Sequence, residues 1–402
     1  MTGHSTPPLQ GLRVLDLTQF LSGPYCTQVL GDLGAEIVKL EAPQGDLARH
    51  IPPHFVGDDS IYFLAVNRNK KSIAIDMKTQ EGRDLDRRLA LGVDIVVENY
   101  RPGVVSRLGL DAAELRREKP ELIWCSISGF GQDGPYRDMP AYDMVVQALS
   151  GGMSLTGEPG GPAVRAGIPI GDICAGLYAV VGVLAALHRR RETGRGETVD
   201  VSMLDCQAAM LSYQAAYHLH SGAVPGRQGA RHDSIPTYRS FRAGDGVELV
   251  VTANTERMWK GLCAVLGLEH LTDDARFRTN RERQVNREAL WPLLEEAFLA
   301  APAQTWVERL REAEVPVGAI NTLDAVAEDP QIRHRGMVVD LDRGAERVRV
   351  MGDPLVFEET KRDTPSFPPR LGENAGEVLS TLLSLDAAEI ERLRAAGILA
   401  GV

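Results

Sequence analysis

Asp172 follows a glycine at the head of the stretch Arg165–Glu197, R-A-G-I-P-I-G-D-I-C-A-G-L-Y-A-V-V-G-V-L-A-A-L-H-R-R-R-E-T-G-R-G-E. Small and apolar residues follow it, then Arg189, Arg190 and Arg191, then Gly194 and Gly196. An acidic group at the start, cations at the carbonyl end and a glycine stop are the marks of a helix. The segment is apolar on every side, so the helix is expected to be buried. It is too short and too rich in glycine and alanine to read as a membrane span. By itself the segment makes Asp172 an N-cap or first-turn residue that answers the exposed N–H groups. Lys78, Arg101 and Arg107 form a second group, each just after a strand pattern, where a cation could meet a phosphate or simply face solvent. Gly129, Gly131, Gly134 and Pro135 shape a loop that lets backbone approach a ligand, or only makes turns.

Alternating elements must position these residues. R-V-L-D-L-T reads as a strand, Tyr25–Leu33 as a helix and E-I-V-K-L-E as a second strand, a βαβ unit. S-I-A-I-D-M, D-I-V-V-E-N, L-I-W-C-S-I-S and E-T-V-D-V-S-M follow as strands, separated by the helices Glu81–Leu91, Asp111–Lys119 and the long segment above. This order predicts an α/β fold with a large, mostly parallel, doubly wound Rossmann-like sheet, whose ligands sit beyond the carboxyl ends of its strands. The loops there hold Q-F-L-S-G-P, D-M-K, E-N-Y-R-P-G and S-G-F-G-Q-D-G-P. The glycine fingerprint G-x-G-x-x-G is missing, which weighs against a nicotinamide or flavin cofactor. Leu204–His220 reads as one helix. A hairpin about Gly244–Gly246, three helical segments and V-P-V-G-A-I-N mark 225–329 as a smaller α+β domain. From 330 come two strands, the Pro-rich P-S-F-P-P-R-L-G-E-N and a final helix near Asp386–Ala396.

A net charge of −11 argues against nucleic acid or an anionic membrane as partner. Cys26, Cys125, Cys174, Cys206 and Cys263 are odd in number and scattered, so reduced thiols in a cytoplasmic protein are expected, with no disulfide framework and no metal spacing. The opening M-T-G-H-S-T-P-P lacks a signal pattern.

Seven motifs in order resemble the class III CoA-transferase family (the CaiB/BaiF group), which includes formyl-CoA transferase and carnitine CoA-transferase: L-x-G-L-R-V-L-D-L-T…S-G-P, L-G-D-L-G-A-E-I-V-K-L-E, N-R-N-K-K-S-I-A-I-D-M-K, D-I-V-V-E-N-Y-R-P-G, S-G-F-G-Q-D-G-P, A-G-I-P-I-G-D and T-G-R-G-E. The closing P-R-L-G-E-N is typical as well. The resemblance implies that Asp172 is a nucleophile that takes an acyl group from acyl-CoA as a mixed anhydride and then CoA as an aspartyl thioester. It implies CoA contacts at Lys78, Asn99, Arg101, Arg107, Tyr142 and Asp143, with coenzyme A as co-substrate and no metal or redox nucleotide. It also implies a large CoA-binding domain made of 1–224 and 330–402, with 225–329 inserted, and an interlocked homodimer. Two departures bear on the substrate. Leu21 stands where formyl-CoA transferase has a glutamine, and no glycine-rich run occurs between Pro225 and Asp329. With R-Q-G-A-R-H-D-S-I-P-T-Y-R-S-F, they turn the expectation from formate or oxalate toward succinyl or other dicarboxylic acyl groups. The alternatives are an α-methylacyl-CoA racemase, whose second acid/base histidine is Tyr142 here, and a non-catalytic CoA-binding subunit.

Overall fold

The computed structural model describes residues 6–360 and 364–401, so part of the N-terminal stretch read for a signal lies outside the described residues. The chain forms two compact units: Met1–Gly152 with Arg165–Ser221 and Gln331–Val402, and Met153–Val164 with Gly222–Pro330.

The large unit is built on a sheet of β1 (Arg13–Asp16), β2 (Glu36–Glu41), β3 (Lys70–Ile75), β4 (Ile95–Glu98), β5 (Ile123–Ser128) and β6 (Thr198–Ser202). The order is 3-2-1-4-5-6, all parallel, and Leu399–Ala400 adds an antiparallel edge beside β3. Both faces are covered, so successive residues of each strand enter different cores. Val14, Ile37, Ile95, Val97 and Cys125 pack toward helices α1 (Ser22–Asp32) and α4 (Ile170–Thr193). Leu15, Val38, Ile73, Val96 and Trp124 pack on the other side, with helix α2 (Gln80–Gly92) and the C-terminal helices Ala375–Leu383 and Ala387–Ala395. The order reverses between β1 and β4, and a crevice opens beyond the carboxyl ends of strands at such a point.

Helix α4 departs from its expected burial. Cys174, Ala175, Ala179, Val183 and Leu187 are buried, whereas Tyr178 and Val181 are 46% and 62% exposed. One side packs on α1 and the sheet, and the other is left exposed among the described residues. Among the described residues α4 is the one helix long and apolar enough to cross a membrane; half of its apolar window is buried in the large unit. Gly194 ends it at φ 68°, its N–H returned to Arg190 O. Gly176 is required by packing, since a Cβ there would lie 2.7 Å from Ser22 O at the start of α1. The expected single helix Leu204–His220 is two, α5 (Met203–Met210) and α6 (Ser212–Ser221), parted at Ser212 with φ 47°.

The small unit has the antiparallel strands β7 (Arg239–Arg242), β8 (Glu248–Val251) and β9 (Val317–Ala319) in the order 9-8-7. Helices Glu256–Leu266, Arg287–Phe298 and Ala303–Glu312 close its core around Trp259, Phe277, Phe298 and Trp306.

Candidate active site

Loops from the switch point gather around a cavity of about 270 Å³ in the large unit. After β1 it takes Gln19, Phe20 and Ser22, and after β4 Asn99, Tyr100 and Arg101. Ser128 and Gly129 at the end of β5, then Arg137, Met139 and Tyr142, form another wall, and Asp172 stands at the start of α4. A larger cavity of about 520 Å³ lies among Asp32, Arg68, Arg335 and Phe357. The smaller one is the candidate site, because strand-end loops, arginines with no ion pair among the described residues and a perturbed carboxylate converge there.

Of the two places the sequence allowed Asp172, the cap and the first turn of α4, it holds the second, and another residue caps the helix. Asp172 is in the first turn, and the residue before the helix, Pro169, has no side chain able to cap. Asp143 does that work from the start of helix α3 (Asp143–Leu149): its Oδ1 accepts from Gly171 N at 2.7 Å and from Asp172 N at 3.4 Å. Its Oδ2 accepts from Gln147 Nε2 at 2.7 Å. The Asp143 carboxylate is thus turned to the helix end and is absent from the cavity lining, and the Asp172 carboxylate is left for other work.

Burial first, and then the charge of Asp143, push the Asp172 carboxyl up to about 7, against a hydrogen bond from Ser22 that favours the anion. A carboxylate poised near neutrality in a cleft, with a like charge beside it, is a functional-site pattern. Tyr62, also in the lining, is pushed up to about 12 by burial and by Asp172, Asp46 and Asp143.

The loop after β1 is held by groups that carry no sequence motif of their own. Lys39, fully buried on β2, donates to Thr18 O at 2.7 Å and pairs with Asp46 at 3.0 Å. Asp46 Oδ1 accepts from Phe20 N at 3.2 Å, and Phe20 sits at φ 62°, a conformation costly for a residue with a Cβ. Asp46 and Asp16, with Glu41, hold the Lys39 ammonium above its ordinary range although burial pulls it down.

The expected residues separate in space. Asn99, Arg101, Tyr142 and Asp172 line the cavity together. Asn99 spends its amide on the β1 loop, accepting from Gln19 N and donating to Gln19 O, each at 2.8 Å. Arg107 lies just outside the lining: a Cβ on Gly103 would be 3.4 Å from its Nη1 and 3.8 Å from Arg137 Nη2. Arg101, Arg107 and Arg137 form no ion pair among the described residues. Lys78 is exposed and outside the lining, with its backbone N–H on Asp76 Oδ1. Tyr142 is 68% exposed and meets Phe20 edge-on at 6.3 Å. Leu21, at the position of the family glutamine, is buried away from the lining, while Gln19 reaches it and donates to Tyr100 Oη at 2.8 Å. Ser22, Gln19, Tyr62 and Arg137 were not singled out from sequence. Arg137 follows the glycine-rich loop that was, and a lysine inside the otherwise buried strand E-I-V-K-L-E could have flagged Lys39.

All five cysteines are free and buried, and no metal-ligating group of three or more His, Cys, Asp or Glu occurs among the described residues. The model of CoA-transferase family III matches residues 9–375. Succinyl-CoA:glutarate CoA-transferase of Homo sapiens is 38% identical over 397 residues, 98% of this chain and 90% of that protein. Succinyl-CoA:mesaconate CoA-transferase of Haloarcula hispanica is 36% identical over 382 residues, 92% and 95% of the two chains. The crystal structure of a CaiB/BaiF family protein from Brucella suis superposes with a TM-score of 0.85 at 37% identity, over 94% of this chain and 100% of that one.

Proposed function

The chain belongs to CoA-transferase family III and is a CoA-transferase, and we propose that it moves CoA from succinyl-CoA or another dicarboxylic acyl-CoA to a small carboxylic acid through covalent chemistry on Asp172. The observation that carries the site assignment is that Asp143 caps α4, so the half-buried Asp172 carboxylate faces the cavity with no structural duty there.

One Asp172 oxygen attacks the thioester carbonyl; the C–S bond breaks, CoA leaves as thiolate, and a mixed anhydride remains. The thiolate adds to the aspartyl carbonyl and expels the donor acid as its carboxylate, which gives an aspartyl-CoA thioester. The acceptor carboxylate attacks that thioester, and the same two exchanges in reverse return acyl-CoA and free Asp172. No proton is gained or lost overall, so the site needs a dry, ionised carboxylate rather than an acid/base pair. Tyr142, in the position where the racemase branch has its histidine, fits this better than reversible α-proton transfer, for which a phenol is a weak partner. Arg101, with Arg107 and Arg137 beside it, is the proposed holder of CoA phosphates, because these cations have no acidic partner among the described residues. Lys78 is proposed as an outlying cation for the same ligand. Asn99 serves by fixing the loop that carries Ser22.

A second copy of the chain is the proposed partner, in an interlocked homodimer. The reading is supported by the exposed apolar side of α4, by Met144, Val145 and Met210 on its neighbours α3 and α5, and by exposed Leu355, Val356 and Phe357 in the segment after the antiparallel strand pair Val338–Arg343 and Glu346–Met351. A dilution series that yields a folded, freely exchanging monomer refutes it. For the reaction, purified protein is offered succinyl-CoA and a panel of carboxylic acids, and CoA exchange is followed by mass spectrometry. Dicarboxylic acceptors are expected to react fastest, and hydroxylamine with acyl-CoA is expected to inactivate the enzyme by modifying the peptide that carries Asp172. Exchange without any mass change on that peptide refutes the covalent route.

A further inference from the structure

The segment that leads into α4 is held at both ends by the short helix α3. At its start Ala166 N donates to Gln147 Oε1 at 2.9 Å. At its end Gly171 N and Asp172 N donate to Asp143 Oδ1, at 2.7 and 3.4 Å. Asp143 and Gln147 are four residues apart on α3 and share a face of it, and Gln147 Nε2 closes the ring by donating to Asp143 Oδ2 at 2.7 Å. Gln147 is 3% exposed. Turning its amide over would set nitrogen against the Ala166 N–H and oxygen against a carboxylate, so its two partners fix its orientation. The fit at the helix start is close: a Cβ on Gly171 would lie 2.9 Å from Asp143 Oδ1 and 3.3 Å from Gln207 Nε2 of α5. A glycine must therefore precede Asp172.

We propose that Gln147 is a positioning residue for Asp172: through Asp143 and Ala166 it sets where the first turn of α4 places the reactive carboxylate. The assignment rests on the reading of Asp172 as nucleophile. The Asp143 side chain turns about two bonds, and it stays on the end of α4 because its second oxygen is tied to Gln147. Without that tie the carboxylate loses a donor and is free to swing off Gly171 N, while the other end of the segment loses its hold at Ala166. A nucleophile must meet the thioester carbon within a narrow range of distance and angle, and a displacement of about 1 Å costs about a hundred-fold in rate. Gln147 itself is absent from the cavity lining, so it acts on the reaction by placement and not by contact with substrate.

The test compares wild type with Gln147→Met, Gln147→Glu, Asp143→Asn, the double variant Asp143→Asn/Gln147→Glu, and Asp172→Asn. It reads kcat and KM for succinyl-CoA, with thermal unfolding as the check on folding. Gln147→Met keeps the length of the side chain and loses both bonds; kcat is expected to fall roughly ten- to hundred-fold with KM little changed. Gln147→Glu sets one carboxylate against another and is expected to fall at least as far. Asp143→Asn keeps an oxygen for Gly171 N but meets Gln147 Nε2 donor to donor, so Gln147 must turn over and release Ala166 N. In the double variant the new amide donates to the new carboxylate, and each keeps an oxygen for its backbone N–H. The ring is rebuilt with donor and acceptor exchanged, and kcat is expected to return to within several-fold of wild type. Should Gln147→Met fail to fold, the double variant decides the matter. A normal kcat in Gln147→Met, an effect confined to KM or to the unfolding temperature, or a double variant that is unfolded or no faster than its two single variants overturns the proposal. Transfer surviving in Asp172→Asn overturns the nucleophile reading instead, and an inactive Asp172→Asn beside a normal Gln147→Met overturns the Gln147 proposal alone.

Discussion

Replacing Asp172 by Asn distinguishes a reactive carboxylate from a helix cap by stability as well as by rate. The carboxyl is held at about 7 against an ordinary value of 3.8, with burial as the main cause. The sign follows from linkage: an acid whose pKa is raised on folding supports the fold below its unfolded value, and that support is lost as pH rises through the folded value. At high pH the folded protein carries a charge it holds poorly, at a cost of up to about 4 kcal/mol for a difference of this size. Part of the cost is already present at about pH 5, so the change between about pH 5 and about pH 8.5 is about 2.5 kcal/mol. Asn has nearly the same shape and no charge. Asp172→Asn is therefore expected to stabilise the protein more at the higher pH than at the lower, by up to that amount, while transfer activity falls by several orders of magnitude. Urea unfolding of both proteins at the two pH values measures the difference directly. An equal effect at both pH values, or a variant less stable than wild type at about pH 8.5, refutes the argument that a buried charge is being held for chemistry.

The same electrostatics predict that Asp143→Asn moves the acid limb of kcat/KM to lower pH, since Asn can still accept from Gly171 N while the repelling charge is gone; a limb that stays in place means Asp143 acts only as a cap. Arg101→Ala, Arg107→Ala and Arg137→Ala are each expected to raise KM for acyl-CoA several-fold without altering the unfolding temperature, and three unchanged KM values return these arginines to a solvated surface. Lys39→Met leaves Asp46 uncompensated in the interior and is expected to cost about 3–5 kcal/mol in urea unfolding; a cost below about 1 kcal/mol means that the pair does not hold the β1 loop.

The sheet was legible because its strands are buried on both faces and their apolar runs are bounded by glycine, asparagine and proline. The compact units divide at Ser221 and Pro330. The segment Met153–Val164 belongs to the small unit although no compositional break sets it apart. The α5–α6 break was not legible, because Ser212 adopts a positive φ with neither Gly nor Pro nearby to announce it. The exposed side of α4 was missed for a different reason: an apolar pattern says that a face is to be covered but not by which chain. At the site, acidic and basic residues could be picked out by type, but their division of labour could not. Asp143 and Asp172 read alike in sequence, and only the hydrogen bonds from Gly171 and Asp172 show which one caps the helix.

The edge strand Leu399–Ala400 pairs with Ile75 and Ala74, so the sheet that holds the candidate site draws on residues made long after β3 and after the small unit. On a translating ribosome the segment Gly222–Pro330 is complete while Gln331–Val402 is still unmade. The small unit can therefore close during synthesis, but β3 waits with an open edge and the apolar ground beneath Val378, Leu379 and Leu393 uncovered. A truncation after Pro330 would remove no residue of the cavity lining, yet it would leave an unfinished sheet, with loss of folded protein as its outcome instead of a slow enzyme.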